Sequence, residues 1–187
     1  MRLLCQSLRG RGFKALPLRE PGGTDISESI RDILLDLRHK SMDIMCEMLL
    51  YQAARAQIVK EKILPALTEK KIVLLDRFLD ATIVYQGYAG GINIPIIKKI
   101  GAMVTLGIQP DLTILLDIDA EEGLKKAGRR DRMEKKSLQF HSRVRQGYLE
   151  LARQKPQRIK VVPVAREIAQ TQTAVKEIVE KVIRSNQ

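Results

Sequence analysis

Two short aliphatic runs, each closed by an aspartate, constrain this chain most: Ile72-Val73-Leu74-Leu75-Asp76 and Leu112-Thr113-Ile114-Leu115-Leu116-Asp117. Runs this short, with no polar alternation, read as strands buried on both faces, the arrangement of a parallel sheet covered by helices. Phe13-Lys14-Ala15-Leu16 and Ile159-Lys160-Val161-Val162-Pro163 are weaker strand candidates, the second ended by a proline that cannot donate to a ladder. Helical spacing fills the intervals: Ile26, Ile30, Ile33, Leu34 and Leu37, then Phe140, Val144, Tyr148 and Leu151, then Val175, Ile178, Val179, Val182 and Ile183. Strand and helix alternate almost throughout, so the expected class is α/β, a doubly wound parallel sheet. With 187 residues, 44% of them apolar, and no repeat or linker, residues 1–187 are expected to form one domain.

Local signals place the helix starts. Asn93 followed by Pro95 reads as a cap with a proline in the first turn, and Asp119 with Glu122 as a capping-box variant. Cys5 and Cys46 stand far apart and outside any Cys-x-x-Cys spacing, so neither a disulfide framework nor a zinc site is encoded. No apolar run approaches the ~20 residues of a membrane span, and the first residues are too weakly apolar for a secretory signal. A cytoplasmic protein with no membrane association is expected.

The net charge of +11 raises a nucleic-acid reading, since duplex binding is largely phosphate neutralisation. Only 4% of residues are aromatic and Trp is missing, so a stacking platform for single strands is poorly supplied. Much of the charge is concentrated in Lys125, Lys126, Arg129, Arg130, Arg132, Lys135 and Lys136. A phosphate-binding flap or a solvated basic loop would each explain that cluster.

Asp76-Arg77 follows directly on an apolar strand, and ligands bind at the carboxyl ends of strands in open parallel sheets. The carboxylate can hold a hydrated magnesium ion or orient a hydroxyl, and the guanidinium can take two phosphate oxygens at once; a structural ion pair is the plainer reading. Asp117 and Asp119 close the other run without an adjoining arginine, and Asp119 is better placed as a helix cap. Tyr51 and Arg55 are four apart and share a helix face, so a ring and a guanidinium can approach one flat ligand together, although a helix tyrosine is more often core or rim. Arg19-Glu20-Pro21-Gly22-Gly23-Thr24 lies between a strand and a helix, and Gly87, Gly90 and Gly91 supply a second flexible loop.

In this order the motifs resemble thymidylate kinase, the nucleoside-monophosphate kinase family that makes dTDP from dTMP and ATP. The likeness covers Arg19 to Thr24, Leu49-Leu50-Tyr51 to Arg55, Asp76-Arg77-Phe78 with Tyr85-Gln86-Gly87-Tyr88, Pro110-Asp111-Leu112-Thr113, Asp131-Arg132-x-Glu134, and Phe140-His141 through Ala152. It implies a P-loop-type fold in which Arg77 holds the dTMP phosphate and Asp76 acts beside it with Mg2+. It also implies that Tyr51 stacks on thymine, Arg55 bonds a base carbonyl, Tyr85 packs near the sugar, and Glu20 and Gln86 complete the substrate set. Arg129, Arg130 and Arg132 become lid arginines over ATP, in a basic lid of about 126–137. A homodimer is implied, His39 and His141 are not needed as acid-base groups, and nucleic acid is not a partner.

The chain departs from the family pattern at Ala81, where serine is usual, at Val84, where a small residue is usual, and at Ala89-Gly90-Gly91, which lacks the arginine of the family loop. More consequential, no Gly-x-x-x-x-Gly-Lys-Ser/Thr occurs anywhere in the sequence. By comparison with the family, roughly twenty residues that carry a first, central strand and the triphosphate loop are missing, and Met1 falls part-way along the following helix. The sequence therefore predicts strands 72–75 and 112–116 facing a gap, negligible kinase activity and poor stability, Met1 being an internal methionine of a longer reading frame. The alternative is a non-catalytic dTMP-binding or dimer-forming relic of a kinase.

Overall fold

The computed structural model describes residues 1–128 and 131–185. In chain order it contains α1 (Arg2–Gly10), β1 (Ala15–Arg19), α2 (Asp25–Leu35) and α3 (Ile44–Ile58), the last prolonged by a π turn, Val59–Ile63, into α4 (Leu64–Thr68). β2 (Ile72–Asp76) follows, then α5 (Leu79–Thr82), which runs into a second π turn, Ile83–Tyr88, and α6 (Ile94–Val104). The remainder is β3 (Thr113–Asp117), α7 (Ala120–Ala127), α8 (Leu138–Gln154), β4 (Ile159–Pro163) and α9 (Ile168–Ser185).

The expected caps are present. Asn93 Oδ1 accepts from the Ile96 amide and Asp119 Oδ1 from those of Glu121 and Glu122, satisfying backbone donors that the first turn leaves open. The capping box is not reciprocal, because the Glu122 carboxylate pairs with Lys126 at 2.7 Å instead of reaching back. Lys125 is likewise engaged with Glu121 at 2.8 Å, so two members of the basic cluster belong to a solvated helix face.

All strand pairing is parallel, as expected, but it is divided. β1 pairs with β2, Ala15 opposite Ile72 through Arg19 opposite Asp76, and β3 pairs with β4, Thr113 opposite Ile159 through Asp117 opposite Pro163. The first strand thus lies two residues later than the Phe13–Leu16 reading, and Pro17 is tolerated inside it because β1 has one strand neighbour. Among the described residues no strand joins the two pairs, so the single doubly wound sheet of the sequence reading is replaced by two two-stranded sheets. The aliphatic runs are also less buried than expected. Ile72 to Leu75 are each half-buried and Leu116 is 49% exposed, since each run has a strand on one edge only.

Side chains bridge what the backbone does not. On one face Cys5, Leu8, Ala15, Val162, Val175 and Val179 form a core against which Ile72 and Leu74 of β2 and Leu112 and Ile114 beside β4 all pack. The alternation of a strand sends Val73 and Leu75 to the opposite face, onto Ile58, Val59, Ile63 and Phe78. A third cluster, centred on Met48, Val84, Ile97, Phe140, Val144 and Leu151, joins α3, α6 and α8 under Leu115. Each fully buried Leu, Ile or Met there contributes about 1.5–3 kcal/mol. Helices on both faces hold the carboxyl ends of β1 and β2 beside α3 and the second π turn, and the cavity described next opens there.

Not every predicted stripe faces this core. Leu34 is fully buried, but Ile26 and Ile33 on α2 are 56% and 44% exposed.

Candidate active site

The site begins where β1 and β2 end. After Arg19 the chain turns through Glu20-Pro21, a cis peptide, and then Gly22 and Gly23 at φ +133° and +85°, a path that requires residues without a Cβ. Glu28 of α2 fastens the turn, its carboxylate accepting from the Gly23 amide at 2.8 Å and from Arg19 at 3.0 Å. The turn directs Glu20 inward, where it is 4% exposed beneath α3.

Arg55 meets it there and is itself 1% exposed. Its Nε donates to Glu20 Oε2 at 2.8 Å and its Nη2 lies 2.8 Å from the same oxygen in an ion pair, while Nη1 donates to Gln52 Oε1 at 2.8 Å and to Thr82 Oγ1 at 3.1 Å. Breaking one partner of such a buried pair strands the other charge, so the two side chains act as a unit. Burial pushes the Glu20 carboxyl above the usual carboxylate range, against the opposing pull of Arg55. Among the described residues Oε1 of Glu20 has no hydrogen-bond partner.

At the end of β2, Arg77 adopts a left-handed backbone, φ 68°, uncommon for a residue with a Cβ and a mark of local strain held by its surroundings. Its guanidinium lies 5.1 Å from the ring centroid of Tyr85, a cation–π contact. Tyr85 is fixed in turn by edge-on contacts with Phe140 at 6.1 Å and Tyr148 at 6.3 Å. Burial, seconded by the nearby carboxylate of Glu47, raises the Tyr51 phenol well above the ordinary tyrosine value.

These groups enclose one cavity of about 190 Å³. Glu20, Tyr51, Arg55, Arg77, Tyr85 and Gln86, all singled out from sequence, line it together. Asp76 does not; its exposed carboxylate stands at the tip of β2. Arg132 does not line it either. Arg132 is buried, its Nη1 2.7 Å from Glu47 Oε2 and its Nε donating to the Leu34 carbonyl at 2.8 Å. Arg129 and Arg130 lie outside the described residues. The Asp76-Arg77 ion pair of the plainer reading is not formed, whereas Asp117 is held by Arg145 of α8 at 2.7 Å and plays a structural part.

The lining includes residues that the sequence does not single out, Arg31, Thr82 and Met133, with Arg31 of α2 donating to the Pro21 carbonyl at 2.9 Å; Ala81, Asp131 and His141, which belong to the recognised motifs without an assigned role, contribute walls as well. Glu47, 1% exposed, was missed as well although a signal existed: Glu47, Tyr51 and Arg55 recur every four residues and share one helix face. Its carboxylate accepts from Gln86 Nε2 at 2.8 Å and pairs with both Arg132 and Lys136.

Among the described residues no three His, Cys, Asp or Glu side chains converge as a metal cage. Asp76 nevertheless fits magnesium, which keeps several waters and needs only one or two carboxylates beside substrate phosphates. The 187 residues fit a triphosphate less well, for the sequence has no glycine-rich loop ending in Lys-Ser/Thr.

Parallel strands whose carboxyl ends open into a basic, aromatic-walled cavity give the arrangement in which α/β proteins hold ligands. Comparison narrows the class. A profile of the thymidylate kinase family matches residues 1–175. The thymidylate kinase of Thermoanaerobacter sp. (strain X514) is 45% identical over 183 residues, 97% of this chain and 90% of that one. That of Symbiobacterium thermophilum is 43% identical over 185 residues, 98% and 86% of the two chains. A crystal structure of thymidylate kinase from Ehrlichia chaffeensis superimposes with a TM-score of 0.78 at 30% identity, covering 96% of this chain and 88% of that one. The chain belongs to the thymidylate kinase family and is by family a kinase, a transferase.

Proposed function

We propose that the cavity is a dTMP site and that the fold serves phosphoryl transfer from ATP to dTMP. The convergence of Arg77, Tyr51, Arg55, Tyr85 and Gln86 on one cavity carries this reading. Tyr51 offers a neutral ring for stacking, Arg55 a guanidinium for a base carbonyl, and Arg77 its fork for the phosphate. Asp76 would hold magnesium, which shields phosphate charge when bound. Arg129, Arg130 and Arg132 are assigned to a lid over ATP; in the structure Arg132 is docked against Glu47.

By itself the 187-residue polypeptide is proposed to turn over negligibly. Losing one preorganised donor to the developing charge costs about 3 kcal/mol, and a triphosphate loop supplies several donors together with its lysine. The half-exposed aliphatic faces of β2 and β3 and their unshared edges support the reading that one further parallel strand fits between them. The missing loop motif also favours a second reading, a non-catalytic dTMP-binding protein. A dimer is supported by apolar side chains exposed on three helices: Ile26 and Ile33, Met45 and Leu49, Ile96 and Met103. Two free cysteines accord with a reducing, cytoplasmic setting. Among the described residues no helix is long and apolar enough to cross a membrane.

Titration calorimetry with dTMP tests the site: binding with a Kd of roughly 1 μM to 1 mM is expected, by analogy with the usual KM range, and its absence at millimolar ligand overturns the reading. A coupled ADP-release assay with dTMP, ATP and Mg2+ tests the chemistry. Turnover near kinase rates of about 1–100 per second would overturn the claim of negligible activity.

A further inference from the structure

We propose that Glu47 is a positioning residue that sets which base the cavity accepts, by fixing the side-chain amide of Gln86. The inference rests on the dTMP reading above and deepens it.

A primary amide carries a donor end and an acceptor end, and a half-turn exchanges them. Gln86 is 1% exposed and lines the cavity, so the end it turns inward is the message a bound ring receives. Glu47 removes the ambiguity. An ionised carboxylate only accepts hydrogen bonds, so the group 2.8 Å from Glu47 Oε1 has to be the Gln86 NH2. At 1% exposure the carboxylate is doubly paired, Arg132 Nη1 lying 2.7 Å and Lys136 Nζ 3.1 Å from Oε2, and a buried charge is tolerated where it is paired. Gln86 Oε1 is left over: among the described residues no protein donor reaches it, and it is not sealed from open space.

Arg55 lines the same cavity, with three of its N–H groups spent on Glu20, Gln52 and Thr82. The Gln86 acceptor suits a pyrimidine that presents N3–H. Cytosine presents a bare N3 there and mismatches. A buried polar group left unpaired by the wrong ligand discriminates far better than shape alone, by about a hundredfold or more. Turning the Gln86 amide over would favour the wrong ring, and the Glu47 carboxylate is what forbids the turn.

The test compares dTMP and dCMP affinities by calorimetry for wild type, Glu47→Gln and Glu47→Asp. Glutamine at position 47 can donate as well as accept, so it permits the flipped amide. Its preference for dTMP over dCMP should fall about tenfold or more, and Glu47→Asp, which keeps an acceptor-only group, should recover part of it. An unchanged preference in folded Glu47→Gln, or equal weakening of both ligands, overturns the inference while leaving the dTMP site standing. Wild type that fails to bind dTMP overturns both. Should Glu47→Gln fail to fold, the wild type decides: NMR of the Gln86 side-chain NH2 before ligand is added should show protection from exchange, and exchange at the free-amide rate refutes the proposal.

Discussion

Tyr51 and Tyr148 show at the residue scale how the site uses desolvation. Burial is the main force raising the Tyr51 and Tyr148 phenols, aided by Glu47 at the first and by Tyr85 and Asp80 at the second, where Arg77 pulls the other way. Both rings therefore remain neutral stacking and packing surfaces next to the guanidinium. The sign of the linked stability follows from the raised values. The contribution of these groups is fully present below the unfolded tyrosine value of about 10 and is lost as pH rises through the folded values. Ring-carbon NMR should find both phenols still protonated at about pH 10, and urea midpoints should decline above that pH. At this scale the sequence was informative where residue type and spacing coincide with a motif. Glu47 escaped because a helix glutamate is read by default as solvated; its burial depends on Lys136 and Gln86, which approach from other elements.

Among the elements, α8 was the most legible: Phe140, Val144 and Leu151, read from spacing, are all buried. The spacing did not announce Gly147, on which the docking of α8 turns. A Cβ there would stand 2.8 Å from Tyr88 Cβ and 3.1 Å from Val84 Cγ1, so α8 approaches the second π turn as closely as it does only because the side chain is missing. Gly147→Ala should destabilise by about 1–3 kcal/mol through overpacking, read as a lower urea midpoint, and a neutral result would mean that α8 can shift freely. The α2 stripe was misjudged for a related reason. Periodicity reports that Ile26, Ile30 and Ile33 share a face, but not whether that face meets the core or the outside.

For the whole molecule, the outward apolar side chains of α2, α3 and α6 bear on assembly. Leu49 is 48% exposed, and its replacement by glutamate should shift the stability of a lone chain by no more than about 0.5 kcal/mol. If these helices form a self-interface, Leu49→Glu should lower the mass measured by light scattering from dimer to monomer, whereas a monomeric wild type refutes the dimer reading. The net charge of +11 is left unchanged by ion pairing, but Lys125–Glu121, Lys126–Glu122 and Arg132–Glu47 pairs engage members of the basic cluster, so the cluster that suggested phosphate binding is less available than its count implies.

The sequence by itself determined the α/β class, the parallel pairing, the helix caps and six of the side chains that meet in the cavity, Glu20, Tyr51, Arg55, Arg77, Tyr85 and Gln86, because each follows from short-range periodicity or from motif chemistry carried within a few residues. Tertiary structure alone decided that the strands associate as two pairs, that the aliphatic runs are half-buried, that Arg132 turns inward to Glu47, and that the Gln86 amide donates to the same carboxylate. Those outcomes depend on contacts between segments far apart in the chain, where burial and charge pairing, not local preference, set the lowest free energy.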